Sequence, residues 1–308
     1  TAILRLRDGQ LRRMSPRMVD KYLAQPGAKD EVVETIQTAT DETLYFFTNR
    51  GNCFMLDVIR IPETMKLKDR GSLLTGLIAG LADHEHAVAL VCVKSDEMAK
   101  KGDFLFITKN GQVKRTAAAE YGIRRARFAA INLKGNDELV GMVQVDPEDK
   151  DDIILITQLG MALRFKLDTV SCTGRATAGV RGIDVGKDDE VRWFEIPKAG
   201  DMLFVLSDRG FGKRMLSDDV ERQGRAGKGQ KLLPMNKTGE TGTQVAVCLN
   251  VTGAKSVRVE QKHGHTVLLN MDEIAVERRA SKGQLLVNVL LDDVVQYGAM
   301  TAETKDEK

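Results

Sequence analysis

The 308-residue sequence has few aromatic residues, few cysteines and no long apolar run, and each shortage excludes a class of protein. Apolar residues make up 42% of the chain but occur in short runs. None of these runs approaches the ~18 to 20 residues that a membrane-spanning helix needs. The four cysteines lie 39, 80 and 76 residues apart, without a C-x-x-C pair. That spacing argues against a zinc site and against a secreted disulfide framework, and it indicates a reducing compartment.

Motifs for catalysis and for nucleotide binding are also missing. The glycine-rich segments lack the G-K-[ST] end of a phosphate-binding loop. Two H-x-H pairs, His84/His86 and His263/His265, lack a third metal ligand nearby. We therefore predict no catalytic residue, no metal and no cofactor in this chain. The N-terminal sequence TAILRLRDGQ has no Met and no signal peptide, and we interpret the chain as a fragment of a longer polypeptide.

Charge is nearly balanced overall but alternates along the sequence. The chain has 46 Lys and Arg against 44 Asp and Glu, a net charge of +2. Residues 109–127 contain six basic residues and one acid, and residues 209–231 contain seven basic residues and three acids. Residues 135–152 contain seven acids and one lysine. This alternation is typical of repeated modules that each have a basic edge and an acidic edge.

One pattern occurs six times: an apolar strand, a turn with glycine, and a second strand that in most copies carries basic residues. The turn signals, such as D-G and N-G, predict β-hairpins. A single hairpin cannot bury its own face, so the repeats predict an all-β, six-bladed propeller-like fold with repeats of about 50 residues. We expect one domain over residues 1–298 and a disordered tail over 299–308. The turn glycines are Gly9, Gly51, Gly111, Gly160, Gly210 and Gly264.

A second motif, R-A-x-x-G, begins fifteen residues after the turn glycine in three repeats. Its copies are Arg175 to Gly179, Arg225 to Gly229 and Arg279 to Gly283, and an apolar strand follows each copy. The third repeat has RRARFAA at this offset, and the second has DRGSLLTG a few residues away. A glycine here predicts that the connection approaches a neighbouring backbone closely.

The segments NGQVKRTAAAEY, GRATAGVRGIDV and GFGKRMLSDDV resemble the C-terminal domain of the A subunit of bacterial type IIA topoisomerases, DNA gyrase and DNA topoisomerase IV. The resemblance implies a β-pinwheel, in which neighbouring blades exchange strands and duplex DNA bends around a basic perimeter. It also implies that the catalytic domain lies in the rest of the A subunit, with the ATPase domain in the B subunit. A monomeric domain acting on the nucleoid in the bacterial cytoplasm is expected.

One loop distinguishes the two members of this family. Gyrase A subunits carry a box close to Q-R-R-G-G-K-G in the first blade, which is needed for chiral wrapping. The matching residues here contain no arginine, so the resemblance favours topoisomerase IV, whose domain guides the DNA segment for strand passage during decatenation and supercoil relaxation. The alternative is a gyrase domain that wraps DNA for negative supercoiling with a degenerate box. The box residues are Gln25, Pro26, Gly27, Ala28, Lys29 and Asp30.

Basic residues repeated from blade to blade are the predicted DNA contacts, because phosphates need charge and hydrogen-bond donors but carry no sequence information. The alternative for each one is a solvated surface position. A protein-interaction propeller and a propeller enzyme, which would need acids or histidines converging on its axis, are the competing functions. The predicted contacts are Arg12, Arg13, Arg17, Lys114, Arg115, Arg124, Arg125, Arg164, Arg175, Lys213, Arg214, Arg225 and Lys228.

Overall fold

The computed structural model describes residues 1–25, 32–123, 125–148 and 150–301. The contacts divide the chain, predicted as one domain, into two compact units. Unit 1 comprises Thr1–Asp149 with Val170–Val180, and unit 2 comprises Lys150–Thr169 with Arg181–Lys308. The all-β class with six propeller-like blades is confirmed, because the described residues form six small antiparallel sheets.

Twenty-three strands make up these sheets in the described residues. From the first to the eleventh they are β1 (Ala2–Leu6), β2 (Gln10–Met14), β3 (Val32–Gln37), β4 (Thr43–Thr48), β5 (Asn52–Asp57), β6 (Ser72–Leu73), β7 (Ala87–Val93), β8 (Asp103–Thr108), β9 (Gln112–Ala117), β10 (Arg127–Ala129) and β11 (Leu139–Val145). The remainder are β12 (Asp152–Thr157), β13 (Met161–Lys166), β14 (Val180–Arg181), β15 (Val191–Glu195), β16 (Met202–Ser207), β17 (Phe211–Leu216), β18 (Gln230–Lys231), β19 (Val245–Asn250), β20 (Ser256–Gln261), β21 (Thr266–Asn270), β22 (Gln284–Leu285) and β23 (Val295–Met300).

In the described residues, helical structure is limited to short connections. The α-helices are α1 (Pro16–Leu23) and α2 (Leu74–Leu77). Proline begins α1, where its missing N–H is not needed by the helix. The 3-10 turns are Val58–Arg60, Ser95–Lys101, Ala118–Tyr121, Leu167–Thr169, Ser217–Asp219 and Met271–Glu273.

All six predicted hairpins are confirmed. Each turn glycine has a positive φ, between 75° at Gly51 and 89° at Gly264, which is the conformation that favours glycine. In four hairpins a buried hydroxyl at the end of the first strand accepts a hydrogen bond from the first N–H of the second strand. The hydroxyls belong to Thr48, Thr108, Thr157 and Ser207. This bond fixes the turn from inside the sheet.

The blades exchange strands, as the resemblance implied. The sheet orders are β3-β1-β2-β6, β10-β5-β4-β7, β11-β8-β9-β14, β15-β12-β13-β18 and β19-β16-β17-β22. In each of these the short strand beside the second hairpin strand comes from the connection that follows the next hairpin along the chain. The sixth sheet, β21-β20-β23, has three strands in the described residues. We number the blades 1 to 6 by their hairpins.

Apolar side chains from adjacent sheets form the cores. In unit 1, Phe47 of β4 packs edge-on against Phe104 and Phe106 of β8 and against Tyr121, with ring centroids 5.5–5.6 Å apart. In unit 2 the equivalent core is largely aliphatic, with Val257 of β20 packed in one cluster with residues of β16 and β19. These contacts hold each blade against the next within its unit.

The last strand extends past residue 298, the predicted end of the domain. Ala299 and Met300 continue β23 and pair with Arg258 and Val257 of β20, so they belong to blade 6 rather than to a tail. Residues 302–308 of the predicted tail lie outside the described residues.

Candidate nucleic-acid interface

The connections that supply the exchanged strands concentrate the positive charge of the chain. We call residues 64–73, 122–130, 170–182, 220–231 and 275–285 the exchanged segments. Together they contain fifteen basic residues (Lys and Arg) and three acidic residues (Asp and Glu). The rest of the chain contains 31 basic and 41 acidic residues. A chain of net charge +2 therefore has exchanged segments of net charge +12. Each segment borders the sheet edge opposite to β3, β7, β11, β15 or β19.

The predicted close approach at the R-A-x-x-G glycine is confirmed in all three copies. A Cβ atom at Gly179 would lie 2.8 Å from the carbonyl oxygen of Val113, and at Gly229 2.4 Å from that of Ala162. At Gly283 it would lie 2.4 Å from the carbonyl oxygen of Gly212. Real Cβ contacts essentially never fall below 3.0 Å. Glycine thus lets each segment reach the second hairpin strand of the preceding blade.

The arginine of the same motif forms a hydrogen bond that connects each of these three exchanged segments to the preceding one. Arg175 donates from Nη1 to the carbonyl oxygen of Ala129 at 2.7 Å, and Arg225 donates to that of Arg181 at 2.5 Å. Arg279 repeats the bond to Lys231 at 2.9 Å. These guanidinium groups remain partly exposed. Each arginine therefore has a structural role while keeping further donors for an anion.

Lys114 and Lys213, which were predicted to contact DNA at the surface, are buried in the structure. Lys114 is 1% exposed and donates from Nζ to the carbonyl oxygens of Ala130 and Arg175, at 3.1 and 2.6 Å. Lys213 is 0% exposed, and burial lowers the pKa of each lysine to about 8. The sequence-based assignment of both residues to DNA contact is corrected, because these ammonium groups already bind backbone oxygens.

The arginine that follows in the hairpin strand is also largely structural. Arg115 and Arg164 pair with the buried carboxylates of Asp103 and Asp152, at 2.6 and 2.7 Å. Arg13 and Arg214 occupy the same position in blades 1 and 5, where Thr1 and Met202 replace the Asp. These two arginines donate from Nε to the carbonyl oxygens of residues 61 and 274. Their predicted role as DNA contacts is corrected in the same way.

The remaining predicted residues fall into three groups. Arg12 donates to the carbonyl oxygen of Leu67 at 3.3 Å and lies over the ring of Tyr22, so it is half-buried. Exposed side chains belong to Arg17, Arg125 and Lys228. Gln25 is exposed just after α1. Arg124 and the box residues Pro26, Gly27, Ala28, Lys29 and Asp30 lie outside the described residues.

Several basic residues of the exchanged segments were missed from the sequence. All are exposed except Arg279, which is half-buried. The signal that could have found them is the net charge of the connection after each hairpin, rather than the Lys-Arg pair within it. They are Lys66, Lys68, Arg70, Arg127, Arg181, Arg222, Lys231, Arg278, Arg279 and Lys282.

Two features of other functional classes are absent from the part of the chain that the structure describes. No group of three or more His, Cys, Asp and Glu side chains is arranged there to hold a metal ion. Among the helices described, none is long and apolar enough to cross a membrane.

A family model described as the DNA gyrase C-terminal domain, β-propeller, matches residues 102–146, 151–198 and 201–242. These three matches coincide with the hairpins of blades 3, 4 and 5 and the connections after them. Among curated proteins, the chain is 33% identical over 275 residues to the A subunit of DNA gyrase from Deinococcus deserti, covering 87% of this chain and 33% of that protein. It is 34% identical over 232 residues to the A subunit of DNA topoisomerase 4 from Bacillus subtilis, covering 74% of this chain and 28% of that protein. The chain thus spans about a third of the length of these relatives.

Solved structures share the fold. The crystal structure of the C-terminal domain of DNA topoisomerase IV superimposes with a TM-score of 0.85 at 23% identity, covering 97% of this chain and 93% of that one. The structure of a DNA gyrase A C-terminal domain superimposes with a TM-score of 0.67 at 18% identity, covering 98% of this chain and 99% of that one. The succession of matching blades, the named relatives and the shared fold identify the chain as a C-terminal β-propeller domain of the type IIA topoisomerase A-subunit family.

Proposed function

We propose that the chain binds duplex DNA through its exchanged segments and bends it. The observation that carries the proposal is the charge segregation: five segments at equivalent sheet edges have net charge +12 in a chain of net charge +2. Repetition at one structural position favours a ligand with a repeating charge, which is the phosphate backbone of DNA. With aromatic residues at only 5% of the chain, stacking on unpaired bases is a weaker alternative.

Bending requires several blades to act together. A smooth bend over 20 to 30 base pairs costs on the order of 1 to 6 kcal/mol. Each exchanged segment has two to four basic residues, so contacts from several segments are needed to offset that cost. Because each R-A-x-x-G arginine is bonded to the preceding segment, its remaining donors are held in place before DNA arrives.

Within the family we propose a topoisomerase IV type of A subunit. In that enzyme the domain would guide DNA to the cleavage domain of the same polypeptide, together with an ATPase B subunit, in the bacterial cytoplasm on the nucleoid. We propose that the isolated domain is a monomer. The support for the topoisomerase IV type is the sequence of residues 25–30, which contains no arginine. A gyrase domain with a degenerate box is the second candidate, favoured by relatives that are mostly named as A subunits of DNA gyrase.

The salt dependence of binding to a 30-base-pair duplex tests the DNA-binding proposal. The plot of log K against log salt should have a slope of about −0.9 per phosphate neutralised. Lys228→Ala with Lys282→Ala, two exposed and equivalent lysines of exchanged segments, should reduce that slope by about 2. The matched control, Lys187→Ala with Lys237→Ala, removes the same charge from exposed positions elsewhere. A slope near zero, or equal effects of both double variants, would contradict the proposal.

A topology assay separates the two candidates. Circular DNA is relaxed by a nicking-closing enzyme in the presence of the chain, and the topoisomers are resolved. Binding without a change in linking number is the result expected of the topoisomerase IV type. A shift in linking number would mean chiral wrapping and would favour the gyrase type. No binding would favour a protein-docking propeller.

A further inference from the structure

Lys213, the third residue of β17, is fully buried yet has no carboxylate among its hydrogen-bond partners. Its Nζ donates to the backbone carbonyl oxygens of Arg278, Arg279 and Ser281, at 3.0, 2.7 and 2.5 Å. All three acceptors lie in one exchanged segment, just before the close-approach glycine Gly283. An ammonium group has three N–H donors, and here each has an acceptor.

Equivalent positions in blades 1, 3 and 4 show two alternative arrangements. In blades 1 and 3, Arg12 and Lys114 also donate to carbonyl oxygens of the adjacent exchanged segment. In blade 4 the position is occupied by Leu163, which has no donor. The segment there has Gly227 where the segments of the other two R-A-x-x-G copies have Thr177 and Ser281, and its backbone bonds to the chain at Gly182 and Asp184 instead. The segment that lacks the lysine thus has a further glycine at 227 and different hydrogen bonds.

We propose that Lys213 is a positioning residue for DNA contact: it holds the backbone of residues 278–282 so that Arg278, Arg279 and Lys282 face the DNA together, and it does not touch DNA itself. The inference rests on the proposed function. Arg278 and Lys282 are exposed, and their side chains leave the same backbone whose oxygens Lys213 binds on the buried side. Without the ammonium group the carbonyl oxygens of Arg279 and Ser281 would lose this donor, and that of Arg278 would keep only the Ser281 N–H, so the loop would move to regain hydrogen bonds.

The test is the salt dependence of duplex binding by Lys213→Met in this chain. A lysine that itself neutralises one phosphate takes about 0.9 from the slope when it is removed. If Lys213 instead positions the loop, its removal should reduce the slope by the contribution of all the basic residues of the loop, about 2 to 3. Hydrogen exchange at the amides of residues 279–283 should accelerate in the variant. A decrease of only about 0.9, or no decrease, overturns the proposal.

A second variant tests whether Lys213 acts through the loop alone. Arg278→Ala with Arg279→Ala and Lys282→Ala removes the contacts directly, and adding Lys213→Met to it should then change neither affinity nor slope. A further loss on addition of Lys213→Met would mean that the lysine acts elsewhere. If wild-type protein shows no salt-dependent binding, the proposed function itself fails, whereas normal wild-type binding with an indifferent Lys213→Met overturns only this inference.

A compensated variant keeps the proposal testable if Lys213→Met does not fold. Lys213→Leu with Arg278→Gly and Ser281→Gly copies the arrangement of blade 4. We expect it to fold and to recover a slope contribution of about 2 from Arg279 and Lys282, relative to Lys213→Leu alone. If it recovers nothing, or does not fold, Lys213 serves the sheet as a whole and the positioning role is overturned.

Discussion

The hairpin turns and the exchanged segments depend on glycine for two different properties, which can be separated by mutation. Gly264 has a positive φ of 89° and open space around its Cβ position. Gly179 lies outside the positive-φ region, but its Cβ would be 2.8 Å from the Val113 carbonyl oxygen. Gly229 combines both properties, with φ 77° and 2.4 Å to the Ala162 carbonyl oxygen. Alanine substitution therefore measures the energetic cost of the positive φ at Gly264, the cost of the close contact at Gly179, and the cost of both together at Gly229.

The expected costs follow from these geometries. Gly264→Ala should lower the free energy of unfolding by about 1 kcal/mol, the cost of a left-handed conformation for a residue with Cβ. At Gly179 the new Cβ must push β14 away from β9, which weakens a two-residue pairing at about 0.5 to 1.5 kcal/mol per hydrogen bond. Gly229→Ala combines both effects on β18 and β13, so we expect about 2 to 4 kcal/mol.

Urea unfolding followed by circular dichroism measures the three costs. Gly179 lies in unit 1 and the other two in unit 2, so a transition that separates the units should be fitted for each unit. Hydrogen exchange at Leu163, whose amide is near the contact, should report the local displacement in Gly229→Ala. Equal costs for Gly229→Ala and Gly264→Ala would refute the reasoning, because the close approach would then contribute no energy to strand exchange.

Three further predictions concern buried charge. Asp103→Asn should destabilise by about 3 to 5 kcal/mol in urea unfolding. Asp152→Asn should destabilise by less, although Asp152 binds both Arg164 and Arg222: Arg164 keeps Asp218 at 2.9 Å and Arg222 is half exposed to water, whereas the buried Arg115 keeps only a carbonyl oxygen. Equal losses would contradict this. The pKa of Lys213 is about 8 in the fold against 10.5 unfolded, so between these pH values the unfolded chain holds more protons and the contribution of this lysine to stability rises with pH, by at most about 1.4 kcal/mol per unit. The difference in unfolding free energy between wild type and Lys213→Met should show that rise, and a flat difference would disprove it. Burial, with Asp201 nearby, raises the pKa of Glu195 to about 7, so its contribution to stability is full below pH 4.5 and falls as pH rises through 7. Glu195→Gln should therefore stabilise the chain at pH 8 but not at pH 4, as thermal unfolding at both pH values would show.

The hairpins could be predicted because their information is local. A turn glycine and its β-branched or aromatic flanks all lie within about fifteen residues, so Gly111 and its five counterparts were found by pattern alone. The R-A-x-x-G glycine was also found, because a fixed offset from the turn repeats in three blades. Local patterns of this kind determine φ and strand direction before any tertiary contact is made.

The exchanged strands themselves could not be predicted from periodicity. Several, such as Gln230–Lys231, are two residues long, which is too short for any alternation of polar and apolar residues to be recognised. Their partner lies in another blade, so only the resemblance to a known family indicated the exchange. The position of the charges depends on that partner, because a strand covered by an exchanged segment is buried where an edge strand would be exposed.

The Lys-Arg pairs show why this matters for the candidate interface. Consecutive residues of a strand point to opposite faces, so Lys114 and Arg115 cannot both lie on one rim. In β9 both faces are covered: the lysine binds carbonyl oxygens and the arginine binds Asp103. The sequence pattern identified a real repeat, but the repeat serves the junction between blades.

The net charge of the chain is a poor guide to its partner for a related reason. At physiological ionic strength charges are screened over about 8 Å, so a phosphate responds to the charges near the closest segment, including the few acids paired with it, such as Asp152 beside Arg222 and Asp184 beside Arg181. The acids of this chain are concentrated outside the exchanged segments, which leaves each segment with a net charge of +2 or +3. A nearly neutral domain can therefore present a series of basic edges, and the strength of DNA binding should follow the charge of those edges and of the acids paired with them.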